Sequence, residues 1–277
     1  MTDTNSLLQF MNCERLDDNF FRGQSKDFKT GQVYGGQVLG QAIKAAQSTV
    51  DDDRSIHSAH AYFLRRGDVN APILYTVDRS RDGGSFSSRR VVAIQHGHQI
   101  FHLSASFQVN QPGLEFYNQG FPPTDLLDGV IDGSRVAENQ FQSQFLDAYI
   151  LNEEEKTAPD SFQMWVRTKH PLPEGQDAHC SVLAYISDMG LLLSAFVPHA
   201  RQPWQIGSAL PNMVVASLDH AIWFHRPFRA DDWFFYDCRA ESTSNSRGFS
   251  HGRVFTRDGA LVASTSQEGL LRQKEVP

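Results

Sequence analysis

The sequence predicts an α+β protein made of two copies of one unit, each a buried helix covered by antiparallel strands. Three observations lead there. Short motifs recur in the same order about 160 residues apart. One segment in each half is apolar around most of its circumference. Runs rich in Val, Ile, Phe, Tyr and Ser follow it, bounded by turn residues.

The first recurrence sets His60-Ala61-Tyr62-Phe63-Leu64-Arg65-Arg66 against His220-Ala221-Ile222-Trp223-Phe224-His225-Arg226. Phe86-Ser87, Arg90 and Val91 match Phe249-Ser250, Arg253 and Val254. Ala105-Ser106-Phe107-Gln108 resembles Ser264-Thr265-Ser266-Gln267. One short match arises by chance, but three in one order mark a duplicated unit.

The helix of the first copy is Gly35-Gly36-Gln37-Val38-Leu39-Gly40-Gln41-Ala42-Ile43-Lys44-Ala45-Ala46. Val38, Ala42, Ala45 and Ala46 fall at helical spacing, with Leu39 and Ile43 beside them. Its counterpart spans residues 180–196, nearly apolar throughout, with Asp188 in its middle. Strands are expected over residues 59–64, 73–79, 85–95 and 98–109. Arg81-Asp82-Gly83-Gly84, His96-Gly97 and Asp258-Gly259 are turn signals. A sheet wrapped around each helix covers it, and continuing one sheet into the other joins the copies.

Residues 1–109 therefore read as an N-terminal domain, of which 1–20 form an extension, helical over 1–13. Residues 110–161 read as a linker, because Pro112, Pro122, Pro123 and Glu153-Glu154-Glu155 interrupt any strand alternation. A helix is expected within it near residues 136–151. Residues 162–277 form the C-terminal domain, opening on a strand over 162–167 and fraying at 276–277.

Composition narrows the function classes. The 277 residues are 40% hydrophobic and 21% charged, enough for a packed core. A net charge of −7 argues against a nucleic-acid surface. The longest apolar run, residues 189–197, is too short to span a membrane and carries Ser194. The polar N-terminus has no basic region followed by an apolar one, as a secretory leader has. Three widely spaced cysteines, Cys13, Cys180 and Cys238, form neither a disulfide framework nor a zinc pattern. Buried thiols in a reducing compartment are the simpler reading. The 11 histidines include His57 with His60 and the group His96, His98 and His102, but none has the spacing of a metal site. No metal and no cofactor is expected.

Asp188 is the residue that most needs an explanation. A carboxylate among Ala184-Tyr185-Ile186-Ser187 and Met189-Gly190-Leu191-Leu192-Leu193 loses solvation. It either caps a helix and meets water, or serves as a general base in an apolar cleft. Ser217 and Gln267 offer a hydroxyl and an amide that can hold a water for such a base. Either also fits an ordinary strand residue. Ser217, Asp219 and His220 do not read as a serine triad: no nucleophile elbow is present, and adjacent strand residues face opposite ways. The run Tyr34-Gly35-Gly36-Gln37 lacks the Lys and Ser/Thr of a phosphate loop. It reads as a closely packed helix start whose free N–H groups are able to face an anion or an oxyanion.

The same residues resemble the acyl-CoA thioesterase II family. The resemblance rests on Phe21-Arg22-Gly23-Gln24-Ser25, on Val33 to Ala42, on His57 to Asp68 and on Asp82-Gly83-Gly84-Ser85-Phe86-Ser87-Ser88-Arg89. In the second half it rests on Tyr185-Ile186-Ser187-Asp188, on Ser217 to Pro227 and on Gln267-Glu268-Gly269. It runs from about Phe21 to Arg272. It implies a double hotdog, two antiparallel sheets each wrapped around a central helix and joined into one extended sheet. It implies hydrolysis of acyl-CoA to a free fatty acid and CoA, the EC 3.1.2 class of lipid metabolism. The family's catalytic aspartate falls on Asp188, its glutamine on Gln267 and its hydroxyl residue on Ser217, where many members carry threonine. His57, Gly36 and Gln37 are possible substrate or accessory residues, with packing the first reading for His57. The first copy has no acid matching Asp188, so one site per chain is expected. Arg65, Arg66, Arg89 and Arg90 are all conceivable partners for CoA phosphates. A homo-oligomer is expected, and because the last residues are not an S-K-L signal, so is the cytoplasm. A hotdog hydratase is the rival, but Asp188 has no histidine at the right helical spacing.

Overall fold

The computed structural model describes residues 6–132, 144–199 and 213–273. The first half runs α1 (Leu7–Met11), β1 (Glu14–Asp17), β2 (Phe20–Gly23), α2 (Gly35–Gln47), β3 (Arg54–Phe63), β4 (Ile73–Asp82), β5 (Phe86–Gln95) and β6 (His98–Val109). Then come α3 (Thr124–Ile131), β7 (Leu146–Ile150), β8 (Ser161–Thr168), α4 (Gln176–Ser187) and α5 (Leu191–Ser194). The chain closes with β9 (Met213–Ser217), β10 (Asp219–Phe224), β11 (Phe234–Ser244), β12 (Arg247–Thr256) and β13 (Leu261–Gln273).

All the strands belong to one antiparallel sheet, ordered β1-β2-β4-β5-β6-β3-β10-β13-β12-β11-β8-β7, with β9 also paired to β13. The two helix-wrapping halves meet where β3 pairs with β10. This is the double hotdog arrangement. The seam joins the recurring motifs themselves: His60 faces Ala221, and Ala61 faces His220. Residues directly opposite share a face of the sheet, so the two histidines point to opposite sides. His60 is exposed and His220 is buried.

α2 and α4 run antiparallel beneath the sheet. Gly36 and Gly40 of α2 lie against the backbone carbonyls of Tyr185 and Ser181, and a Cβ there would come within 2.2 and 2.9 Å of those oxygens. Glycine at this spacing lets the helix backbones touch. Every residue of α2 except Gly35 and Lys44 is buried. The buried Gln41 amide is paired on both sides, donating to Phe10 O and Gln24 O and accepting from the Tyr75 hydroxyl.

Three expectations need correction. The helix expected over residues 180–196 is not continuous; α4 stops at Ser187, and Asp188 is its C-cap at φ −76°, ψ −6°. Tyrosines satisfy the carbonyls left open by the break, Tyr236 donating to Ser187 O at 2.8 Å and Tyr34 to Tyr185 O at 3.0 Å. Gly190 then packs so tightly that a Cβ would meet Cys238 Sγ at 2.7 Å. The helix expected near residues 136–151 falls partly outside the described residues. Where described, the chain forms β7, whose register against β8 runs from Leu146↔Thr168 to Ile150↔Met164. The expected extension helix is short, α1, and residues 1–5 and 274–277 lie outside the described residues. The three cysteines are free, and burial pushes the Cys13 thiol up to about 12.

Candidate active site

The break after Ser187 puts Asp188 at the buried end of α4, with its side chain toward β13 and the start of α2. Gln267, on β13, donates from Nε2 to Asp188 Oδ1 at 2.9 Å and lies 2.6 Å from Ser217 Oγ. Ser217 ends β9 opposite Gly269, two residues along β13. Its hydroxyl is 3.4 Å from Asp188 Oδ1, the outer limit of a hydrogen bond. The Gly36 N–H, from the first turn of α2, also bonds the Asp188 carboxylate. A Cβ on Gly35 would stand 2.7 Å from Asp188 Oδ2. Residues from three distant stretches of chain thus meet on one carboxylate.

Electrostatics follow from burial. Asp188 is 9% exposed. Desolvation raises its pKa to about 6, against the opposing pull of the bonds from Gln267, Gly36 and Ser217. The C-terminal end of α4 adds its own unfavourable dipole. A carboxyl near 6 is ionised at neutral pH yet remains a better proton acceptor than an ordinary aspartate.

A cleft of about 260 Å³ opens beside Ser217. Val33, Val38, Phe63 and Phe101 supply its apolar wall, and Arg65 and Arg66 also line it. Arg89 does not belong to it. That guanidinium is buried, donating to Thr49 Oγ1, Thr49 O and Asp82. A larger cavity of about 610 Å³ lies beside Phe10, Cys13 and Arg22 and touches none of Asp188, Ser217 or Gln267. Among the described residues no cluster of His, Cys, Asp or Glu is placed to hold a metal.

The sequence-predicted residues divide cleanly. Asp188, Ser217, Gln267 and the Gly36 amide come together. Gln37 does not join them; its Nε2 donates to Gln24 O at 2.9 Å. His57 also stays apart, with Nε2 at 2.8 Å from Ser106 Oγ and its ring on the edge of Phe86. Asp219 and His220 form no triad with Ser217. The Asp219 carboxylate accepts the Glu268 N–H, while His220 Nε2 lies 2.9 Å from Ser187 Oγ. Ser48 is the C-cap of α2, the position Asp188 holds on α4, and its hydroxyl donates to Lys44 O.

Two family models match the chain, one described as the acyl-CoA thioesterase N-terminal domain over residues 24–108 and one as acyl-CoA thioesterase over residues 138–270. Mouse (Mus musculus) acyl-coenzyme A thioesterase 8 is 39% identical over 95% of this chain and 88% of its own length. Acyl-CoA thioesterase 2 of Haemophilus influenzae is 37% identical over 98% of each chain. The chain belongs to the acyl-CoA thioesterase II family. This thioesterase also overlays the crystal structure of acyl-CoA thioesterase II TesB2 from Mycobacterium marinum with a TM-score of 0.81, at 37% identity over 97% of this chain and 98% of that one. Membership makes it a thioester hydrolase.

What sequence reasoning missed in this thioesterase is the scaffold around Asp188. Tyr34 and Tyr236 hold the end of α4, and Gly35 leaves room for the carboxylate. Their only sequence signal was position, Tyr34 and Gly35 standing at the helix start already marked as closely packed.

Proposed function

We propose that the thioesterase hydrolyses acyl-CoA by direct attack of a water that Asp188 deprotonates and that Ser217 and Gln267 position. The single observation behind this reading is the Gln267 amide, which spans Asp188 Oδ1 and Ser217 Oγ at 2.9 and 2.6 Å. Both amide protons are thereby committed. The Ser217 hydroxyl accepts one of them, and its own proton, in only a long 3.4 Å contact with Asp188 Oδ1, turns to a water oxygen when one binds. That water gives a proton to Asp188 and points its remaining lone pair at the thioester carbonyl. Attack forms a tetrahedral oxyanion, and its collapse expels CoA as thiolate, a good leaving group. No covalent enzyme intermediate is needed.

The cleft supports the substrate half of the reading. An acyl chain is apolar and matches Val33, Val38, Phe63 and Phe101. CoA is polyanionic and matches Arg65 and Arg66. Of the two central helices only α4 is capped by an acid, Ser48 standing at the end of α2, so one site serves each chain. Thiol release from a series of acyl-CoA chain lengths, wild type beside Asp188→Asn, tests the reading. Release that stops in a folded Asp188→Asn protein supports it. Loss of enoyl absorbance without thiol release points to the hydratase instead.

A further inference from the structure

Gln267 is useful to the site only in one of its two amide orientations. With Nε2 toward Asp188 and Ser217, its Oε1 points away, buried, with no hydrogen-bond partner. A buried carbonyl oxygen needs a donor. His220 lies next to it. The β10–β13 register pairs Ala221 with Ser266, so the next pair inward is His220 with Gln267, on the same face of the sheet. The ring is 1% exposed and Gln267 is 2% exposed. His220 Nδ1 is likewise buried and without a partner.

The other ring nitrogen decides where the proton sits. His220 Nε2 is 2.9 Å from Ser187 Oγ, and that hydroxyl is also 2.9 Å from Ala184 O. The serine has one proton to give. If it goes to Ala184 O, His220 carries its proton on Nε2, and the bare lone pair of Nδ1 faces Gln267 Oε1. Two buried acceptors then oppose one another. If the Ser187 proton goes to His220 Nε2, the ring carries its own on Nδ1, and both orphaned atoms are satisfied at once. Burial lowers the His220 pKa to about 4, so the ring is neutral, and the Gln267 side chain opposes that shift, as an accepting oxygen does.

We propose that His220 is the positioning residue of Gln267, its Nδ1–H holding the amide oxygen so that the amide nitrogen stays on Asp188 and Ser217. This rests on the reading of Asp188 as general base. It gives His220 a role outside a nucleophilic triad. The hydrogen-bond chain runs from Ser187 through His220 and Gln267 to Asp188, leaving and re-entering the chain next to the base itself. Ser250, opposite Gln267 on β12 with its Oγ unpartnered, is the other possible donor to Oε1.

Steady-state kinetics of the full chain test this, with unfolding midpoints for every variant. His220→Ala is expected to lower kcat at least about tenfold with KM within about twofold. Asparagine places its amide nitrogen near the Nδ1 position, and glutamine places its own near Nε2. His220→Asn should therefore restore most of the lost kcat, while His220→Gln should not. In a Gln267→Ala background, His220→Ala should cost little more, because the group it positions is gone. Ser250→Ala should leave kcat near wild type. In ¹⁵N spectra of the wild type, His220 should carry its proton on Nδ1. Recovery by His220→Gln but not His220→Asn would overturn the proposal. So would full additivity with Gln267→Ala, a loss confined to Ser250→Ala, or an Nε2–H tautomer. The wild-type spectrum decides even if His220→Ala fails to fold. Undiminished turnover in Asp188→Asn or Gln267→Ala would instead strike the general-base reading beneath it.

Discussion

The Gln267 amide nitrogen stands 2.9 Å from Asp188 Oδ1 although 79 residues separate the two. One comes from the end of α4 and the other from β13. The contact exists because α4 stops where it does, so the helix break is part of the site's construction.

Replacing the base tests this most directly. Asp188→Asn keeps the shape and removes the proton acceptor. Thiol release should fall by about 10²–10⁴ in kcat, the usual contribution of a general base, with unchanged circular dichroism.

Turnover should depend on pH through the same group. Asp188 must be ionised to accept a proton, and burial raises its pKa to about 6. kcat/KM should therefore rise with pH through about 6 and level off above it. Stability runs the other way. The folded carboxyl titrates higher than the unfolded one, so the folded state binds the extra proton between about 4 and 6, and stability from this group falls as pH rises through that window. Asp188→Asn should be at least as stable as wild type at pH ~8, the buried charge costing on the order of 2–3 kcal/mol. That advantage should shrink toward pH ~4 in denaturant titrations.

Gln267→Ala and Ser217→Ala should each cost less than Asp188→Asn, and their effects should not add. Gln267 acts on the water through Ser217 and Asp188, so the double variant should lose less than the product of the two single losses, read as kcat in one thiol-release series.

The neighbouring glycines should fail differently. A methyl on Gly36 strikes the Tyr185 carbonyl, a rigid neighbour, whereas one on Gly35 strikes the Asp188 carboxylate and the Phe63 ring. Gly36→Ala should lower stability by about 2 kcal/mol or more in denaturant titrations. Gly35→Ala should show the larger loss of kcat relative to its loss of stability.

Arg65 and Arg66 should matter to binding rather than to chemistry. The double alanine variant is expected to raise KM for acyl-CoA several-fold with kcat nearly unchanged, and the difference should narrow at high salt. Arg89→Ala should instead unfold the protein more easily, since its guanidinium is tied to Thr49 and Asp82.

Periodicity made α2 and the first-half strands legible. Gly35–Gln47 was expected over residues 35–46, and His98–Val109 appears as expected. It hid the end of α4, because residues 189–197 stay apolar and continue the pattern past the break. It hid β7 because a five-residue strand among prolines and glutamates offers too few alternations to count. Asp188 stood out chemically, as a charge with nothing local to solvate it. His220 did not. The sequence aligns it with His60, yet in the sheet the two lie on opposite faces, because a one-residue offset between strands exchanges inside for outside.

The seam between β3 and β10 has a further consequence. Each strand supplies the backbone partners that would otherwise leave the other as an open edge, so the two halves cap one another. A nick in the connection between α3 and β7 should therefore leave both pieces held together. Either piece made alone would present a raw, sticky border in search of a replacement, and the amino-terminal piece would have no acid to work with.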